Sequence, residues 1–120
     1  MRKLAIEYYR DGYNCSQCIL KAASVKFNFS LSKYCLKMCS PVSNGFGIKS
    51  TCSVLIAAIM VLGIMFNETC AKRLRIKFLN DFATKHGSLN CAHLKKDRCE
   101  EIISSAADIL EKIILREQRL

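Results

Sequence analysis

The sequence predicts an all-α protein: a compact single-domain bundle of five to six helices, with a central apolar helix, spanning residues 1–120. Three observations predict it. Apolar residues recur three and four apart along nearly the whole chain, the spacing of one helix face, and strand-like alternation never lasts more than a few residues. The chain has one proline and five glycines, so few points break a helix. Hydrophobic residues make up 51% of the 120, enough for one core without staples.

Taken in order, Leu4, Ala5, Tyr8 and Tyr9 predict a short first helix that stops at Asp11-Gly12. Asn14 can cap a second helix running to about Asn28, with Cys18, Ile19, Ala22, Ala23 and Val25 inward. Ser30 is expected to cap a short third helix ending near Ser40-Pro41. Residues 40–51, SPVSNGFGIKST, read as the one clear loop, with the proline, two glycines and four hydroxyl residues in twelve. Ser50 or Thr51 then caps a fourth helix, Cys52 to Phe66, which is apolar on every face and so belongs inside the bundle. It is shorter than the about 20 residues a membrane span needs.

Glu68 or Thr69 begins a fifth helix. Leu74, Phe78, Phe82 and Ala83 form its apolar face, Lys72, Arg73, Arg75 and Lys77 lie mostly off it, and His86-Gly87 ends it with a glycine stop. A short turn surrounds Cys91. The last helix runs from a cap at Asp97 towards the C-terminus, with Ile102, Ile103, Ala106, Ala107, Ile109, Leu110, Ile113 and Ile114 as its apolar stripe. Glu100 and Glu101 come early in it and Lys112 and Arg116 late, as the helix dipole favours.

The net charge of +9 attracts nucleic acid, anionic headgroups or an acidic protein. The basic residues are dispersed, however, apart from clusters at residues 72–77 and 95–98, and no nucleic-acid motif accompanies them, so nucleic acid is not favoured. The opening MRKLAIEYYRDG lacks the apolar stretch of a secretory leader, and the expected location is cytoplasmic. In that compartment eight cysteines point to redox, catalytic or metal chemistry rather than to a disulfide framework.

Four of the eight fall at predicted helix starts. Cys15 follows Asn14, Cys52 follows Thr51, Cys91 follows Asn90, and Cys99 lies two residues after Asp97. First-turn amides lack intrahelical acceptors and favour negative charge. A cysteine there can have its pKa lowered to roughly 3.5–7.5, from about 8.5 for the free residue. If the four starts converge, they form a sulfur-lined, anion-favouring pocket. Cys15 and Cys52 are expected to be the more acidic thiols, with Cys91 and Cys99 as a resolving or co-ligand pair.

The other chemistry-bearing residues read more simply. Cys15-x-x-Cys18 has dithiol spacing, but Cys18 falls on the inward helix face, where packing outweighs redox work. Cys35 and Cys39 share one helix face, and two ligands do not make a metal site. Cys70 is a lone thiol. His86, at a helix end, reads as a dipole partner, and His93, near Cys91, as a surface residue before a ligand or base. No serine-histidine-aspartate, paired-carboxylate, phosphate-loop or HExxH signature is present.

The segments DGYNCSQCIL, STCSVLIAAIMVLGI and KHGSLNCAHLKKDRCEEIISSAADILEKI carry a further signal. Over about residues 9–115 the chain resembles the C_GCAxxG_C_C family of redox-active proteins, small helical proteins defined by four cysteines. The four fall on Cys15, Cys52, Cys91 and Cys99, and the Gly-Phe-Gly at 45–47 matches the start of the family's glycine-rich loop. Around Cys52 the family's glycines are missing from Thr51-Cys52-Ser53-Val54-Leu55-Ile56-Ala57, and the loop before it is shorter, as in a divergent member. The resemblance implies redox activity at these four cysteines and a redox partner, with a frequent association with transporters.

Three readings stay open. The four cysteines carry thiol/disulfide or electron-transfer chemistry, or they hold an iron–sulfur cluster or zinc. Alternatively, the chain is a basic, non-enzymatic interaction module whose fifth helix meets an acidic partner or nucleic acid. A homodimer is compatible with the apolar content.

Overall fold

The computed structural model describes residues 1–94 and 99–120, which fold into seven α-helices with no strand among them. These are α1 (Arg2–Arg10), α2 (Cys15–Lys26), α3 (Lys33–Met38), α4 (Ser53–Met65), α5 (Glu68–His86), α6 (Cys91–Leu94) and α7 (Cys99–Gln118). The all-helical class agrees with the sequence pattern. The helix beyond the expected five or six is α6, a single turn where a bend around Cys91 was expected. The Asp97 cap and the basic cluster at 95–98 lie outside the described residues.

The helix starts follow side-chain chemistry. Asn14 accepts from the amides of Ser16 and Gln17, and Gln17 reaches back to the Asn14 amide, so α2 opens with a complete capping box. Asn67 accepts from Cys70 N and opens α5; Gly87, at φ 78°, closes it with the left-handed stop its sequence announces. Ser32, rather than Ser30, caps α3 by accepting from Tyr34 N. At α4 the expected Ser50 or Thr51 cap is replaced by Cys52, which occupies the N-cap position itself.

Ion pairs show how the long helices run. The Met1 ammonium meets Glu111 at 2.7 Å, Arg2 meets Asp108 at 3.1 Å and Arg10 meets Glu100 at 2.8 Å. Partners descend along α7 as they ascend along α1, so these helices are antiparallel. The same logic holds for α5, where Arg73 pairs with Glu117 at 2.6 Å and His86 Nε2 lies 2.8 Å from Ser105 Oγ. In this way α7 is held along its length by α1 and α5.

The core lies between α2, α4, α5 and α7. Ile19, Leu20, Leu55, Leu62, Phe78, Phe82, Ile103, Leu110 and Ile114 are its largest fully buried apolar side chains. Burying each stabilises the fold by about 1.5–3 kcal/mol. The stripe predicted for α7 is buried except at Ile109, which is half-buried. Two expectations are corrected. Val25, expected inward, is 53% exposed: it shares the face of Cys18 and Ala22 but lies in the last turn of α2, one residue before the helix ends at Lys26. The apolar α4 packs on α2, α5 and α7 but leaves Gly63 and Ile64 in solvent, so it is not enclosed on every face.

Candidate functional site

The antiparallel pairing of α1 and α7 ends at the Arg10–Glu100 contact, where Arg10 Nε and Nη2 reach both Glu100 oxygens at 3.2 and 2.8 Å. That clamp brings Tyr9 near Cys99, and both line the same cavity. At the same end of the bundle α2 begins at Cys15 and α4 at Ser53, and the Ser53 hydroxyl lies 2.8 Å from the Cys15 sulfur. The fourth segment is delivered by a strap. Thr51 and Asn90 form an isolated antiparallel bridge, with Cys52 N donating to Leu89 O at 2.9 Å and Cys91 N to Ser50 O at 2.6 Å.

The strap needs Gly45. This residue is buried at φ 60°, and a Cβ there would run into the Ser50 backbone and stand 3.0 Å from Cys91 Cβ. Only glycine adopts that conformation and allows that approach without strain. The loop around it is unusual: Asn44, Phe46 and Lys49 also have positive φ. Backbone strain of this density is characteristic of functional segments.

The result is one cavity of about 340 Å³ into which Cys15, Cys52, Cys91 and Cys99 all project, together with Tyr9, Asn44, Ser53 and an apolar wall of Val54, Leu94 and Ile102. Cys15, Cys91 and Cys99 are half-buried and Cys52 is buried. All eight cysteines are free thiols. The four helix-start cysteines therefore meet at one place, while the remaining four do not line this cavity.

The electrostatics correct one expectation. Cys52 was expected to be among the more acidic thiols. Burial instead pushes it up to about 11, with the nearby Cys15 and Cys91 sulfurs adding to the effect. The amides of Val54 and Leu55 oppose the shift but do not overcome it. At α2 the first-turn amides of Ser16 and Gln17 are already taken by the Asn14 side chain, so the cap competes with the thiol for the same donors. Tyr9 is also raised, by burial first and then by Cys99 and Cys15. It enters the cavity as a protonated donor.

The other candidates lie elsewhere. Cys18 is fully buried, donates to Cys15 O at 3.1 Å, and is raised to about 12 by burial and then by Cys15. It is a packing residue next to the site. Cys39 is 1% exposed at the end of α3, raised by burial, with Cys35 half-buried one turn earlier. Cys70 donates to Glu117 at 3.3 Å on the far side of the bundle. His86 packs on Phe82 with ring centres 4.5 Å apart and is held low by burial. His93 is exposed, with Nδ1 3.3 Å from Ser88 Oγ. Among the described residues no three Cys, His, Asp or Glu side chains are grouped closely enough, as they stand, to hold a metal ion.

Sequence reasoning missed Tyr9 and Ser53 as site residues. Tyr9 carried the signal of an apolar helix face, and Ser53 that of an ordinary helix start. Only the packing of α1 on α7, and of α2 on α4, gives their hydroxyls a sulfur partner.

The fold and cavity define a class: a small all-helical protein that collects four cysteines, from four separate segments, around one pocket. A family model described as "Putative redox-active protein (C_GCAxxG_C_C)" matches residues 13–113. The chain belongs to the C_GCAxxG_C_C family. No curated protein and no solved structure gives a significant match to it. Among the described residues, no helix is long and apolar enough to cross a membrane.

Proposed function

We propose that this protein carries out thiol–disulfide exchange in the four-cysteine cavity, with Cys15 as the attacking thiol. The observation that carries this reading is the meeting of Cys15, Cys52, Cys91 and Cys99 in one partly open cavity of about 340 Å³. Cys15 is the hub: Ser53 Oγ lies 2.8 Å from its sulfur, and Cys52, Cys18 and Tyr9 are its neighbours.

In the forward direction the Cys15 thiolate attacks one sulfur of a disulfide. A mixed disulfide forms and the other sulfur leaves as a thiolate. A second cavity thiol then attacks the Cys15 sulfur and expels the remaining half as a thiolate. The protein loses two electrons and gains an internal disulfide, and the substrate is reduced to two thiols. Cys52 suits the second role because it neighbours Cys15, and its thiol gives up its proton as it attacks. Its proton leaves with the substrate thiolate. Ser53 supplies a donor to the ionised Cys15 sulfur, and Tyr9 does the same for Cys99.

The test is thiol counting by mass spectrometry across graded redox buffers under anaerobic conditions. Disulfides are expected to join residues within the set Cys15, Cys52, Cys91 and Cys99. If replacing all four by serine leaves disulfide formation unchanged, the reading fails. Metal analysis of the same samples decides the alternative in which these cysteines take up zinc or an iron–sulfur cluster after local rearrangement.

A further inference from the structure

The sequence from Gly12 to Asn67 contains no Asp or Glu and five lysines, Lys21, Lys26, Lys33, Lys37 and Lys49. The carboxylates that form ion pairs, by contrast, sit on α5 and α7, each neutralised by a cation. Among the described residues none of the five lysines has an ion-pair partner; Lys33 instead lies 5.5 Å over the Tyr34 ring. This stretch of the chain therefore carries five lysines and no carboxylate of its own.

The same stretch exposes large apolar side chains. Tyr34 and Met38, one turn apart on α3, are 64% and 63% exposed, and Phe46 and Ile48 in the strained loop are 51% and 78% exposed. The elements are continuous: α3 packs on the turn Ser40–Val42, that turn on Gly45–Lys49, and Gly45–Lys49 on α6. The loop reaches the cavity, since Asn44 lines it and Gly45 abuts Cys91. Exposed apolar groups rimmed by charge mark interaction surfaces, and unpaired lysines select the sign of the partner.

We infer that α3 and the 44–49 loop form the docking surface for an acidic protein that presents a cysteine disulfide, flanked by acidic and apolar residues, to the four-cysteine cavity. The inference rests on the redox reading above and names the substrate class for that site. In the docked encounter Cys15 displaces one sulfur of the partner's disulfide, as already described. Lys33, Lys37 and Lys49 meet the partner's carboxylates, and Phe46 and Ile48 its apolar side chains.

The experiment uses three synthetic peptides that differ only in the residues flanking one cysteine: acidic and apolar, neutral, or basic. Each cysteine is joined by a disulfide to a 2-pyridyl thiol. Attack of reduced protein on the peptide sulfur forms the protein–peptide disulfide and releases pyridine-2-thione, which absorbs light. At low salt the acidic peptide is expected to react about tenfold faster than the basic one, with the difference shrinking as salt rises. The variant K37E/K49E is expected to remove that preference, while K112E/R116E, with the same change in net charge on α7, retains it. Phe46→Ser is expected to slow the acidic, apolar peptide severalfold and leave the neutral one unchanged.

Equal loss of preference in both charge-reversed variants would reduce the effect to overall charge and overturn the inference. Failure of even the neutral peptide to release thione would remove the redox reading and this inference with it. Binding to phosphatidylglycerol vesicles that K37E/K49E abolishes, with no peptide preference, would assign the surface to anionic lipid instead.

Discussion

Cys15 and Cys70 both sit in the first turn of an asparagine-capped helix, yet their surroundings have little in common. At the start of α2, Cys15 opens onto a cavity with three other sulfurs, and its nearest polar neighbour is the Ser53 hydroxyl. At the start of α5, Cys70 faces the Glu117 carboxylate at 3.3 Å, with Arg73 3.6 Å from its sulfur. Burial and then Glu117 push the Cys70 thiol up, and Arg73 offsets this only in part. A helix start is therefore not a site by itself. Space for a reactant, a hydroxyl in place of a carboxylate, and a second thiol within reach are what set Cys15 apart.

The largest expected effect tests that contrast directly. Cys15→Ser should slow exchange with a neutral small disulfide by about a hundredfold or more, since it removes the sulfur that makes the first attack. Cys70→Ser should leave the rate unchanged. Stopped-flow measurement of the two variants checks this, and equal loss in both would erase the distinction.

A smaller effect comes from the thiols that burial keeps protonated. Cys52 and Cys18 titrate at about 11 and about 12 in the folded protein, against an ordinary 9.0. Above pH 9 the unfolded chain loses these protons before the folded one does. Stability is therefore whole below pH 9 and falls as pH rises through the window up to those values, by about 1.4 kcal/mol per pH unit per thiol. Urea denaturation between pH 8 and 11 measures the slope, and Cys52→Ala should remove one thiol's share of it. The smallest effect is at Cys70: Glu117→Gln removes the carboxylate that raises it, so alkylation at pH 8 should quicken about threefold. Peptide mapping of the alkylated protein reads this site by site.

Local signals carried most of the helix map. Asn14 with Gln17, Asn67, and Gly87 mark their boundaries because a cap acts within one turn of the residue that makes it. The stripe of α7 and the Leu74–Phe78–Phe82 face were legible for the same reason, since helical period alone selects them. Ser30 and Ser32 look alike in sequence, both hydroxyls before an apolar run, and only the backbone at Ser32 directs its side chain to Tyr34 N. The exposure of Val25 and Ile64 was hidden because an apolar residue states a preference, whereas the neighbour that would satisfy it is a matter of packing.

The candidate site divides along the same line. Its four principal cysteines were legible from their positions at helix starts and from the family resemblance, because both depend on order along the chain. Sequence by itself determined an all-helical chain whose cysteines recur at segment starts and whose acid-free half is basic. Tertiary structure alone decided that the starts share one end, through antiparallel pairing of α1 and α5 on α7 and through the strap that Gly45 permits. It also decided that Tyr9 and Ser53 join the sulfurs, and that Cys52 is held protonated. Burial and proximity are properties of the space between distant segments, and they reverse what the helix dipole suggested for Cys52.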